Sequence, residues 1–199
     1  DPRGVRHESA YNEVDWLVET IAAASAAIDG SGAPALNLKT TYLHDENGNV
    51  LEERIPFGDD GTSFTRVQRD YGVLNEVKQT RREVTPGAAD FVVTTLSYDE
   101  NFNVVAIQHP EEEWTLQSFN SRNLLESVTR GAGTGEASTE HYVHDAEGKR
   151  TLFTNGRGFS HETVFDGFGR VMLSRDPLSN ASSMAYDDGS NVVGLRRRD

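Results

Sequence analysis

The closest approach to a metal-binding motif in this sequence is His141-x-x-His144-Asp145. Imidazole and carboxylate groups are common ligands of zinc and related ions. A spacing of three residues brings two ligands together on a helix, whereas on a β-strand the two side chains point to opposite faces. The surrounding sequence is typical of a strand, as argued below. We therefore predict that these residues are structural and that the chain binds no metal.

A second candidate is an acidic loop, Asp45-Glu46-Asn47-Gly48-Asn49, in which Asp and Asn alternate as in calcium sites. An EF-hand loop needs glycine at its sixth position and glutamate at its twelfth. Here glycine stands fourth, and the twelfth residue is Pro56. The same five residues fit a hairpin turn, and a turn is our prediction.

Catalytic and nucleotide-binding patterns are weaker still. The glycines between Gly131 and Gly135 lack the strand and helix that flank a phosphate-binding loop. The adjacent carboxylates Glu111–Glu113, or a serine near His161, could serve hydrolysis only if a cleft held them together. Nothing in their spacing predicts such a cleft, so we predict no enzyme activity and no cofactor.

Two further patterns leave binding functions open. Trp16 and Trp114 could form platforms on which sugar rings stack, although aromatic residues at regular positions more often pack between neighbouring units. Asn180-Ala181-Ser182 matches the acceptor pattern for N-glycosylation. We keep Trp16 and Trp114 as candidate sugar contacts.

Composition narrows the classes of partner. The 199 residues carry a formal net charge of −13, which would repel nucleic acid and anionic membranes. The absence of cysteine excludes a disulfide framework and cysteine-based zinc sites. No apolar stretch approaches the roughly 20 residues that a membrane-spanning helix requires.

The elements that position all these residues belong to one repeated pattern. An aromatic residue or histidine, numbered position 0, is followed by Asp or Asn at +1, a turn-forming residue at +4 and an aliphatic residue at +6. Position +1 is Asp or Asn in seven copies of eight, and successive copies start 21 to 33 residues apart. The eight starts are Tyr11, His44, Tyr71, Tyr98, Phe119, His144, Phe165 and Tyr186.

A second turn signal lies about ten residues before several of these starts. Asp176-Pro177 precedes Tyr186, and Asp1-Pro2-Arg3-Gly4 precedes Tyr11. Short runs of alternating residues, typical of strands, lie between the two turns. A unit of 21 residues therefore accommodates a β-hairpin of two strands, and units that cannot bury a core alone must pair in sequence.

The pattern Tyr/Phe-Asp-x-x-Gly-x-Val/Leu resembles the YD repeat of the Rhs family, whose relatives include the shell-forming components of bacterial ABC toxin complexes and the teneurins. The resemblance covers residues 1–199 and implies an all-β fold, an array of antiparallel β-hairpins in a curved sheet strip that forms a segment of a hollow shell. His44 and His144 replace the usual tyrosine, and Arg150 replaces the aliphatic residue at +6. The positions to which the resemblance gives a structural role are Tyr11, Tyr71, Tyr98, Phe119, Phe165, Tyr186, Gly48, Gly148 and Gly169.

The resemblance also implies a function. We expect a non-catalytic fragment of a larger secreted or cell-surface protein, most simply bacterial, whose shell encloses a C-terminal toxin or other cargo domain. Its partners would be the neighbouring repeats of the same polypeptide, the enclosed cargo and, in some cases, glycans. The alternative is an extracellular adhesion or carbohydrate-binding scaffold of the teneurin type.

Overall fold

A computed structural model describes residues 6–23, 37–57 and 63–198. Within these ranges every regular element is a β-strand. The first strands are β1 (Arg6–Tyr11), β2 (Leu17–Ala23), β3 (Asn37–His44), β4 (Val50–Pro56), β5 (Phe64–Tyr71), β6 (Val77–Glu83), β7 (Phe91–Tyr98) and β8 (Val104–Gln108). The others are β9 (Trp114–Phe119), β10 (Leu125–Ala132), β11 (Ser138–His144), β12 (Arg150–Thr154), β13 (Ser160–Phe165), β14 (Val171–Arg175), β15 (Ala181–Tyr186) and β16 (Val192–Arg198).

The chain divides into two units, residues 1–96 and 97–199. In the first unit, strands β1 to β7 pair antiparallel in chain order, each with the next. In the second unit, strands β8 to β16 pair in the same way. The prediction of an all-β array of antiparallel hairpins is therefore confirmed. The predicted turn at Asp1–Gly4 lies outside the described residues.

Each repeat start is the last residue of one strand, and +6 is the first residue of the next. Tyr71 lies opposite Val77, and Tyr186 lies opposite Val192. The register shifts by one residue between each of these pairs and the next pair away from the turn, at Asp70/Tyr71 and at Ala185/Tyr186, which is a β-bulge. Because side chains alternate along a strand, one face of each sheet carries the position 0 residues. We call it the aromatic face.

The sheets are single layers with little buried apolar surface. Val67 and Val128 are the buried hydrophobic residues among those the structure describes, with exposed fractions of 4% and 7%. No described residue as a whole falls below 2% exposure. Stability must therefore come mainly from contacts between successive hairpins, since no second layer covers either face within a unit.

Candidate functional site

The turn after each repeat start has one geometry in all eight copies. In the second copy, the Asp45 N–H donates to the Asn49 carbonyl at 3.0 Å, and the Gly48 N–H donates to the Asp45 carbonyl at 3.2 Å. Gly48, at position +4, has φ +85°. This is the short hairpin loop in which a tight turn is followed by one left-handed residue. Position +4 has positive φ throughout, at Asp15, Gly48, Asn75, Phe102, Asn123, Gly148, Gly169 and Ser190.

Where +1 is aspartate, its carboxylate accepts hydrogen bonds from its own turn. Oδ1 of Asp45 accepts hydrogen bonds from the Asn47 and Asn49 N–H groups, each at 2.9 Å, and Oδ2 accepts one from the Asn49 side chain at 2.9 Å. The hydrogen bond from the Asn49 side chain is the largest influence that holds the pKa of Asp45 below its usual range. Hydrogen bonds from the residue at +5 lower the pKa of Asp99, Asp166 and Asp187 in the same way. These aspartates are structural acceptors.

One repeat achieves the same turn with a different carboxylate. Gly72 stands where the other copies have Asp or Asn, and Glu76 at +5 folds back over it. Oε1 of Glu76 lies 1.8 Å from the point where a Cβ on Gly72 would stand, and Oε2 accepts the Leu74 N–H at 3.0 Å. Glu76 therefore supplies the acceptor that Asp supplies elsewhere, and the sequence pattern alone does not reveal this exchange.

Three turns of the second series, at His109, Asn155 and Asp176, repeat this design. The Ser179 N–H donates to the Asp176 carbonyl at 2.9 Å, and Ser179 has φ +69°. The side chain of Asn180 donates to Oδ2 of Asp176 at 2.8 Å. The amide nitrogen that N-glycosylation would use is thus engaged in its own turn.

Tyrosine at position 0 joins its repeat to the preceding one. The Tyr71 hydroxyl donates to the carbonyl of Val50 at 3.1 Å, and the Tyr186 hydroxyl donates to the carbonyl of Val171 at 2.8 Å. Both acceptors are +6 residues of the preceding copy. A phenol reaches this carbonyl and a phenylalanine ring does not, which gives a physical reason for tyrosine at this position.

The side chain at +5 makes the second link, to the +4 residue of the following copy. The Trp16 ring lies 3.0 Å from the point where a Cβ on Gly48 would stand, and a Leu124 methyl group lies 3.6 Å from the equivalent point on Gly148. Six pairs of neighbouring copies share this contact. The pairs are Trp16 with Gly48, Asn49 with Asn75, Asn103 with Asn123, Leu124 with Gly148, Lys149 with Gly169, and Arg170 with Ser190.

In three of these pairs the +5 side chain also covers the next position 0 ring. The Trp16 and His44 ring centroids are 5.5 Å apart. Lys149 Nζ lies 5.6 Å from the Phe165 ring centroid, and the Arg170 guanidinium lies 4.4 Å from that of Tyr186. Trp16 is therefore placed between two repeats, whereas Trp114 begins β9 and is partly buried.

The residues considered for metal binding or catalysis do not converge. His141 pairs with Thr154 across the strands and His144 with Arg150, so the two imidazoles lie on opposite faces of the sheet. Over the described ranges, no three His, Asp or Glu side chains are grouped as metal ligands. Glu111–Glu113 lie in the turn between β8 and β9. No helix of the described residues is long and apolar enough to cross a membrane.

One buried carboxylate was not foreseen. The Glu83 side chain has no exposed surface and accepts hydrogen bonds from the Arg66 guanidinium at 2.7 and 3.2 Å and from the Arg66 N–H at 3.0 Å. The N–H groups of Gly87 and Ala89 also donate to it, at 3.1 and 3.3 Å. The Arg66 hydrogen bonds are the main cause that lowers the pKa of Glu83 to about 2. Glu83 fixes the loop between β6 and β7, and no local sequence signal marks it.

Comparison with solved structures identifies the same fold elsewhere. The structure titled TcdB2-TccC3-Cdc42 matches with a TM-score of 0.73 and 11% identity, over 98% of this chain and 10% of that chain. TcdB2-TccC3 without its hypervariable C-terminal region matches with a TM-score of 0.72, 11% identity and the same two coverages. A mutant Tc holotoxin pore of Photorhabdus luminescens matches with a TM-score of 0.59 and 10% identity, over 96% of this chain and 11% of that chain.

No protein-family model and no curated protein matches the sequence. The chain spans about a tenth of the length of the structures it matches. At this level of identity the similarity concerns the fold. This chain therefore has the fold of a segment of the TcdB2-TccC3 structures, as its repeat pattern led us to expect.

Proposed function

We propose that this chain is a non-catalytic wall segment of an Rhs/YD-type shell, and that the shell encloses a cargo or toxin domain of a larger secreted protein. The observation that carries the proposal is the link between successive repeats. Tyr71 and Tyr186 each donate to a carbonyl of the preceding repeat, and in six pairs of neighbouring repeats a +5 side chain contacts the +4 residue of the next repeat. Such an array extends by addition of units of one design, which is how a wall is built from one polypeptide.

The chemistry of the turns supports the same role. Their carboxylates are saturated by backbone and side-chain donors, so they hold the loops closed and have little capacity left for a substrate. One of the structures with the same fold is, by its title, a Tc holotoxin pore. An enclosed polypeptide is the partner that a single-layer wall of this kind would serve, and its neighbours in the wall would be further repeats.

Protease protection tests the proposal in the polypeptide that carries this segment. A cargo inside an intact wall should resist a protease that digests the same cargo when it is expressed alone. Gly169→Val should disrupt the wall, because Gly169 has φ +78°, a conformation that a β-branched residue adopts only under strain. This variant should expose the cargo, whereas Gly135→Val, in an open loop with nothing within 4 Å, should leave it protected. A cargo digested equally fast in the unaltered protein and when free would contradict enclosure.

A further inference from the structure

The aromatic face of the second unit contains a patch that departs from the repeat. His144 replaces the usual tyrosine, and Arg150, opposite it across the strands, replaces the usual aliphatic residue. Their neighbours Tyr142 and Phe153 have ring centroids 5.5 Å apart, and the His161 ring stacks on Phe153 at 6.2 Å. We call these five residues the Arg150 patch. Both members of one cross-strand pair therefore depart from the repeat, and they lie beside three stacked or tilted rings. The repeat pattern alone does not explain this arrangement.

Arg150 is the cation at the centre of this patch. Its guanidinium lies 5.9 Å from the Tyr142 ring centroid and 5.5 Å from that of Phe153, and the residue is exposed. Among the described residues no carboxylate forms an ion pair with it. Glu140, on the same face, instead pairs with Arg130 at 2.9 Å and accepts the Tyr142 hydroxyl at 2.8 Å. Other described cations, Arg157 among them, also lack an ion pair, but among these Arg150 is the one whose charge lies over two aromatic rings.

A groove of about 340 Å³ runs beside the patch across β12, β13 and β14. It is lined by Arg150, Leu152, Phe153, His161, Thr163 and Ser174. The groove offers a cation, two flat rings and two hydroxyl groups from a single face of one sheet. It therefore covers only one side of whatever it binds, unlike the concave sites that hold small molecules.

We infer that the Arg150 patch docks an acidic segment of an enclosed polypeptide, with a carboxylate side chain on Arg150 and an adjacent apolar side chain on Phe153. This inference rests on the proposed function. A one-sided contact is weak for a partner free in solution, but an enclosed chain has a high effective concentration, so a weak contact is occupied. Charge complementarity selects a carboxylate, and the stacked rings select an apolar or aromatic residue beside it.

Peptide binding to the 199-residue chain tests the inference. The probe is a fluorescein-labelled peptide of alternating aspartate and phenylalanine, with a second peptide that has asparagine in place of aspartate. The acidic peptide should bind and shift the NMR signals of Phe153 and Thr163. Arg150→Val, which restores the aliphatic residue of other repeats, should weaken binding about tenfold, as expected for loss of one charge-assisted hydrogen bond. Arg157→Val removes the same charge from an exposed turn and should leave binding unchanged.

Three results would overturn the inference. They are equal affinity for the aspartate and asparagine peptides, equal loss of affinity in the two arginine variants, and tighter binding of an oligogalacturonate, which would make the ligand an acidic sugar. The protease experiment separates this inference from the proposed function. If the acidic peptide does not bind but the cargo is protected, only the docking inference is disproved. If the cargo is not protected, enclosure itself is disproved, whatever the result with the peptide.

Discussion

At the scale of single residues, tyrosine at position 0 acts through one hydroxyl group. The Tyr186 hydroxyl donates to the Val171 carbonyl at 2.8 Å, across a junction between two repeats. Tyr11 occupies the same position in its own repeat but is 60% exposed and makes no such hydrogen bond among the described residues. Comparison of Tyr186 with Tyr11 therefore separates the effect of the junction hydrogen bond from the effect of tyrosine itself.

Tyr186→Phe should lower the free energy of unfolding by about 1 kcal/mol, the usual net value of one hydrogen bond. Urea denaturation at neutral pH measures the change. Tyr11→Phe is the matched control and should be close to neutral. Equal losses in the two variants would mean that the hydroxyl contact does not contribute.

The exchange between Gly72 and Glu76 gives a sharper test, because it can be reversed. Glu76→Ala removes the acceptor for the Leu74 N–H and should lower the urea midpoint. Gly72→Asp should also lower it, since the new side chain would collide with the Glu76 carboxylate and repel its charge. The double variant restores the Asp of the other repeats and should recover most of the midpoint. A double variant as unstable as the sum of its parts would disprove the substitution of one carboxylate by the other.

At the scale of elements, the hairpin depends on its left-handed residue. Gly148 has φ +83°, and a Cβ there would meet Leu124 only at ordinary contact distance, so the cost of adding one comes from the backbone. Gly148→Ala should therefore destabilise the protein by roughly 1–2 kcal/mol, the strain of a side chain in this conformation. Gly135→Ala, in open space without positive φ, is the control and should change little. Thermal or urea unfolding of the two variants decides the point.

Among the described loops, the one between β6 and β7 closes on a buried charge, that of Glu83. Because its pKa is lowered to about 2, it contributes stability that is complete above its ordinary value of 4.5 and is lost as the pH falls through about 2. Glu83→Gln should therefore flatten the loss of stability between pH 4.5 and 2 and speed hydrogen exchange at the Gly87 and Ala89 amides. Glu136→Gln, in an exposed loop, should leave both the slope and the exchange rates unchanged. A variant at Glu83 that kept the full acid slope would assign that slope to other carboxylates.

How much of each turn or loop the sequence predicts depends on how far apart along the chain its interacting residues lie. The turns at Asp45 and Asp166 were predicted because their donors and acceptors lie within five residues, so the pattern is complete in one short stretch. The contacts of Glu83 with Arg66, and of Trp16 with Gly48, join residues in different strands. They depend on a register that the repeat spacing does not give. The role of Glu76 acts within five residues, yet it was not predicted either. The repeat pattern showed only that Gly72 is a mismatch at +1, and it did not include the residue at +5.

At the scale of the whole molecule, stability should follow the order of repeats along the chain. A core couples distant residues through shared packing, but each described +5 contact here involves only the adjacent repeat. Energetic coupling should then be confined to nearest neighbours, as in other linear repeat proteins. Coupling limited to adjacent repeats would distinguish a wall built by addition of units from a globular domain with the same strands.

Double-mutant cycles measure that coupling. Gly48→Ala should be costly partly because the Trp16 ring stands 3.0 Å from the new methyl group, so Trp16→Ala should relieve part of the cost. The two changes should differ from additivity by about 0.5 kcal/mol or more, as residues in direct contact do. Gly48→Ala combined with Gly148→Ala should add within about 0.5 kcal/mol, since their neighbours Trp16 and Leu124 are different residues in different repeats. A large coupling free energy in the second cycle would show that the stabilities of remote repeats depend on each other. The molecule would then behave as a cooperative domain in which removal of one hairpin unfolds all the others.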